Sequence, residues 1–266
     1  MNTKLIYPSV ILALLLNNIL FAQNDPPCFT DEILQQQLQN DPFLQDQIDQ
    51  QELMIQDFIK TCNFNHDSCS EFVIPVVVHI IHDPADSIPM DGTSNITDAQ
   101  IESQIAALNA AFSNADSTPL PAVNTGIKFC LATVKPGGDT IWQGMPGVTR
   151  TASSSLTYHE QSEISQLTAI GFPQNDYLNI WVVSYITTPS GPLGYSFLPP
   201  NQTGIVIRYD VFGDNSFCNC FNLMAIYNQG ITLVHEVGHY LGLQHTFHGD
   251  CYPDTAFIDS TNCSST

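Results

Sequence analysis

Positive charge is scarce in this chain: six Lys and Arg stand against 26 Asp and Glu in 266 residues, a formal net charge of −20. A surface of that balance repels phosphate backbones and anionic headgroups, so nucleic acid is excluded as a partner and a charged membrane surface is disfavoured. Beyond residue 22 no apolar run is long enough to cross a bilayer, which argues against stable membrane insertion. A GxSxG elbow, a Walker-type phosphate loop and a CxxC pair are all absent, leaving serine-hydrolase, nucleotide-binding and thioredoxin-like chemistries without an anchor. There are no internal repeats and no heptads, and methionine stops at Met224.

What is present begins with a leader. Lys4 precedes an apolar run from Val10 to Leu16, and a small residue, Ala22, closes the stretch, so residues 1–22 read as a signal peptide. All eight cysteines lie beyond Ala22, which suits an oxidising compartment and disulfide formation. Both features predict a secreted, extracellular protein.

Residues 23–70 differ in texture from the rest. They are rich in Gln, Asp and Glu, with a helical run from Asp31 to Lys60 that Pro42 should interrupt, and their apolar stripe is loose. An accessory or pro-segment is expected there, followed by one domain over residues 71–266. Phe72 to Ile81 is a β-branched run that predicts a buried strand, with Pro75 near its start. Thr97-Asp98-Ala99-Gln100 resembles a capping box, and Ile101, Ile105, Leu108 and Phe112 then fall on one helical face. Further strands are expected at Ile127 to Thr133, Tyr177 to Tyr185 and Gly204 to Tyr209. The order predicts an α/β or α+β domain whose sheet rests on two long helices.

The residues that carry chemistry lie on the second of these helices. From Gln229 to Leu243 the pattern is helical, and His235 and His239, four apart, project from the same face and can grip one cation. Glu236 lies about a hundred degrees round the helix, where its carboxylate reaches a water beside the metal rather than the metal itself. Gly242 permits positive φ, so the chain can turn sharply and return His245 as a third ligand. Three imidazoles and one open position form the catalytic arrangement for Zn2+, whereas structural zinc sites are closed by four protein ligands that usually include Cys. The predicted reaction is hydrolysis, with a zinc-activated water as nucleophile and Glu236 as the proton carrier. His79, His82 and His248 are expected to be packing, surface or loop residues.

With that motif placed, the block from Leu233 to Phe247 resembles the extended zinc signature of the metzincins, and more narrowly that of the pappalysin family. Ile74 to His79, Thr97 to Ile101, Ile127 to Ala132 and Gly204 to Asp210 add to the similarity. The resemblance implies a zinc metalloendopeptidase of α+β class, with a mixed, mostly parallel, five-stranded sheet over a backing helix and an active-site helix. It further implies that an edge strand near Gly194, Tyr195 and Ser196 binds extended protein or peptide substrates by strand addition. In this family a pro-segment cysteine can occupy the open zinc position and hold the enzyme latent. Cys28 falls where that residue is expected, although its Pro-Cys-Phe-Thr setting departs from the usual Arg-Cys-Gly, and a plain disulfide stands as the other role. A metzincin also needs a Met-containing turn after the third His, and none follows His245 here. The domain is therefore expected to be C-terminally incomplete, lacking a helix, a pocket wall and part of a Ca2+ site begun by Asp250, Asp254 and Asp259. The alternative is a truncated, non-catalytic secreted protein that binds peptide or zinc.

Overall fold

The computed structural model describes residues 28–61, 72–114, 124–187, 191–216 and 219–245. The expected leader, His248, the three downstream aspartates and Cys62, Cys69, Cys218, Cys251 and Cys263 lie outside the described residues.

The Gln-rich run forms two helices, α1 (Thr30–Asn40) and α2 (Leu44–Thr61), which part around Pro42. There follow β1 (Phe72–His82), α3 (Asp98–Ser113), β2 (Ile127–Leu131), β3 (Val148–Ala152) and β4 (Tyr158–Glu160). The chain then runs through α4 (Ile164–Ala169), β5 (Leu178–Val183), β6 (Tyr185–Thr187), β7 (Gly194–Ser196), β8 (Ile205–Arg208) and α5 (Ile231–Tyr240). Among the described residues no helix is long and apolar enough to cross a membrane.

One sheet dominates, with path order β2-β1-β5-β8-β7, and only β7 runs antiparallel to its neighbour. Strand alternation sends Val76, Val78 and Ile80 of β1 to one face, where they join Ile101, Ile105 and Leu108 of α3 and Leu233 and Val237 of α5. Ile81 points the other way, into a cluster with Trp181, Tyr195, Phe197, Leu167 and the α1 residue Ile33. Both faces are thus covered, as a mostly parallel sheet requires. The α3 cap is as expected: the Thr97 side chain accepts from the Gln100 N–H at 3.2 Å.

The sheet has six strands, not the five expected. Eleven-residue β1 pairs with β2 over Phe72–Val76, which leaves Val78–His82 on the same edge to be paired by β3. The run from Tyr177 to Tyr185 also divides, because the Ser184 and Tyr185 N–H groups both turn to the Thr157 carbonyl and lead into a separate β4–β6 pair.

Buried glutamines on α3 set the approach to α5. Gln104 donates to the Gly230 carbonyl at 3.0 Å and accepts from the Gly213 N–H at 2.7 Å, while Gln100 donates to the Phe212 carbonyl at 2.8 Å. These bonds satisfy backbone groups of the loop that delivers α5, which would otherwise be buried without partners.

Candidate metal centre and catalytic cleft

Helix α5 buries Leu233 and Val237 in the core and presents His235 and His239 one turn apart. It ends as Gly242, at φ 98°, donates to the His239 carbonyl and Leu243 donates to the Gly238 carbonyl. The chain reverses there and carries His245 back to the helix. The three Nε2 atoms stand 3.0 Å (His235–His239), 3.1 Å (His235–His245) and 3.1 Å (His239–His245) apart.

Second partners fix the tautomers. His239 Nδ1–H donates to the Leu243 carbonyl at 2.6 Å, and His245 Nδ1–H donates to Asp31 Oδ2 at 2.8 Å. Each bond leaves an Nε2 lone pair directed at the common centre. Burial first, then the neighbouring imidazoles, pushes His235 down to about 4, and burial also lowers His239, so protons are kept off these nitrogens near neutrality. Three N–H donors could not share so small a space, whereas three lone pairs at this spacing suit one zinc-sized cation about 2.0–2.1 Å from each. The side chains therefore fit a zinc ion.

Cys28 completes the group: its Sγ and the three imidazole nitrogens all lie within 4.8 Å of one another. Of the described cysteines, Cys28 and Cys130 are free thiols and Cys220 is disulfide-bonded. The Cys28 thiol donates to Glu236 Oε2 at 3.7 Å; burial, followed by the Glu236 charge, pushes it well above the ordinary thiol range.

Glu236 is buried beneath the cleft. Burial pushes its carboxyl up to about 7, against hydrogen bonds from Cys28 and Thr30 that favour the carboxylate. It sits close under the edge strand, where a Cβ built on Gly194 would stand 3.1 Å from the Val206 carbonyl oxygen and 3.3 Å from Glu236 Cγ. A side chain at this position would push helix and strand apart by a few tenths of an ångström. Tyr195 and Ser196 complete β7; Tyr195 is turned to the outer face, with its hydroxyl 2.6 Å from His159 Nε2.

Every site residue expected from the motif converges here, and two unexpected ones join them. Thr30 donates to Glu236 Oε2 at 3.2 Å and accepts from the Ser196 N–H at 3.0 Å, and Asp31 holds His245. Their only sequence signal is adjacency to Cys28. His79 and His82 take no part: His79 is buried on the outer face between Thr149 and Asn179, and His82 bonds the Asp83 carbonyl.

A mostly parallel sheet, an antiparallel edge strand and a helix that presents two histidines, a glutamate and a glycine turn define a metzincin-type metallopeptidase domain. Residues 211–265 match the profile of the peptidase M43 family, described as pregnancy-associated plasma protein-A. Among solved structures, a promirolysin mutant of Tannerella forsythia is 30% identical, with a TM-score of 0.56 and coverage of 84% of this chain and 70% of that one. Mature mirolysin in complex with a cleaved peptide is 33% identical, with a TM-score of 0.53 and coverage of 67% and 66%. The chain belongs to the peptidase M43, or pappalysin, family. It is also similar to an extracellular metalloprotease of Pyricularia oryzae, 28% identical over 192 residues, and to one of Arthroderma benhamiae, 30% identical over 169 residues. The chain spans 57% and 50% of the length of these two fungal relatives.

Proposed function

We propose that the chain is an exported, latent zinc-dependent endopeptidase, with residues 23–70 as its pro-segment and residues 71–266 belonging to its catalytic domain. The observation that carries this is the convergence of three imidazole Nε2 atoms beside a buried carboxylate, directly under a sheet edge. His235, His239 and His245 hold the zinc. Zinc bound there supplies Lewis acidity to the scissile carbonyl and to the attacking water. Glu236 takes a proton from that water on a carboxylate oxygen and returns it to the leaving nitrogen. Strand β7 offers outward backbone groups to an extended peptide, which aligns the scissile bond over the histidines. Gly242 keeps the third ligand in place.

Two features support latency: the Cys28 thiol lies among the imidazoles, and the first turn of α1 bonds cleft residues through Thr30 and Asp31. The extracellular metalloproteases among the relatives support export, as does the expected leader.

The test is hydrolysis of a fluorogenic peptide by the secreted protein after removal of residues 23–70, with Glu236→Gln as the comparison. The variant should lose about a thousandfold in kcat/KM, the range of a lost general base, with bound zinc unchanged by metal analysis. Equal turnover by the two proteins overturns the proposal and favours a peptide- or zinc-binding role.

A further inference from the structure

We infer that Thr30 is a second lock on the cleft, beside Cys28 and sharing Glu236 Oε2 with it, in which its hydroxyl stands where a substrate carbonyl oxygen would dock on the edge strand. The inference rests on the endopeptidase reading and deepens it: it concerns how the substrate path is closed, not how the metal is blocked.

The ladder between β7 and β8 determines which groups are free. Phe197 N–H donates to the Gly204 carbonyl and Arg208 N–H to the Leu193 carbonyl, and Tyr195 lies opposite Val206. Odd-numbered positions of this stretch therefore bond inward, and alternation leaves Gly194 and Ser196 with backbone groups facing off the sheet edge. Those outward groups are what an added substrate strand would use. The Ser196 N–H is already taken, by Thr30 Oγ1 at 3.0 Å.

A hydroxyl can accept and donate at once. The same Thr30 oxygen donates its hydrogen to Glu236 Oε2 at 3.2 Å, so one fully buried side chain ties the substrate-anchoring amide to the general base. No zinc contact is involved. Neighbouring residues hold Thr30 in place. Asp31 bonds His245, and Ile33, fully buried, packs on the other side of β7 among Trp181, Tyr195 and Phe197. The first turn of α1 thus straddles the edge strand, with Thr30 on the cleft side and Ile33 on the outer face.

The lock is tested by amide hydrogen exchange followed by NMR on the full chain, comparing wild type with Thr30→Val, which keeps the shape and removes the hydroxyl, and with Thr30→Ser, which keeps the hydroxyl. Thr30→Val should speed exchange at Ser196 about tenfold, the order expected for one buried hydrogen bond. The β1 amides should stay protected, and Thr30→Ser should match wild type. Unchanged protection at Ser196 in Thr30→Val overturns the lock; so does equal deprotection in Thr30→Ser, which would assign the effect to packing. Peptide hydrolysis measured in parallel separates the two claims. Glu236-dependent cleavage with Ser196 exchange unaffected by Thr30→Val removes the lock and leaves the peptidase. The exchange pattern without cleavage, even after residues 23–70 are removed, leaves the contact and removes the peptidase.

Discussion

At Gly242 the cost of a side chain falls on the backbone, not on crowding. A Cβ there would meet Pro199 Cγ at 3.6 Å, an ordinary contact, but φ is 98°, which L side chains rarely adopt. The substitution Gly242→Ala should therefore cost about 1–2 kcal/mol if the turn is kept. The turn delivers His245, so part of that strain should appear as weaker metal binding. Zinc titration against a chelator, paired with thermal unfolding, should show an affinity lowered by about tenfold, since about 1.4 kcal/mol corresponds to a factor of ten. Unaltered affinity together with an unaltered melting temperature would mean that the chain reverses by another route. The placement of His235, Glu236 and His239 was legible because helical periodicity is local: residues four apart share a face wherever the helix lies, whereas Gly242 and His245 lie past the helix end and were placed by the turn that a glycine permits. Thr30 and Asp31 were not legible. Their partners Glu236, Ser196 and His245 are 206, 166 and 214 positions away, and no spacing rule links residues across such separations.

Among the elements, legibility followed burial and length. β1 and α3 are long and strongly patterned, and both stand close to where their apolar periodicity placed them. β3 escaped notice because its five residues, Val-Thr-Arg-Thr-Ala, are mostly half-buried and polar, and it exists to pair the part of β1 that β2 does not reach. Helix α1 shows how an element of weak pattern can still dock tightly. Its buried residues are Thr30 and Ile33 alone, so its hold on the body rests on one polar and one apolar anchor. The change Ile33→Asp puts a carboxylate against Trp181 and Tyr195 with no compensating partner, a penalty of several kcal/mol that undocking would relieve. Limited proteolysis should then cleave between α1 and β1 far faster than in wild type, with the sheet domain itself still resistant. Equal resistance of the two proteins would mean that Ile33 does not anchor the helix.

At the scale of the whole molecule, acid should loosen the fold through two histidines outside the cleft. Burial pushes His79 down to about 4 and His159 down to about 4. His79 is held neutral by burial, against its Asn179 hydrogen bond, which favours the charged ring: its Nε2–H donates to Asn179 Oδ1 at 2.9 Å and its Nδ1 faces Thr149 Oγ1 at 2.7 Å, in a stack with Trp181. The unfolded chain takes up a proton on each below pH ~6.5, while the folded chain resists until pH ~4. Unfolded molecules thus bind more protons within that window. The stabilisation is complete above the upper limit and is lost as pH falls through the lower one, by a few kcal/mol per histidine. In metal-free protein Glu236 works in the opposite sense, because its carboxyl, pushed up to about 7, binds a proton more readily in the folded state. His235, pushed down to about 4, and His239, also lowered by burial, add to the loss in metal-free protein, so one carboxyl offsets only part of it and stability should decline from pH 7 to pH 5. The variant His79→Gln, which retains a side chain able to bond Asn179 but cannot titrate, should make that decline shallower. Urea midpoints of the metal-free protein at several pH values would measure it, and an unchanged slope in His79→Gln would place the acid sensitivity elsewhere.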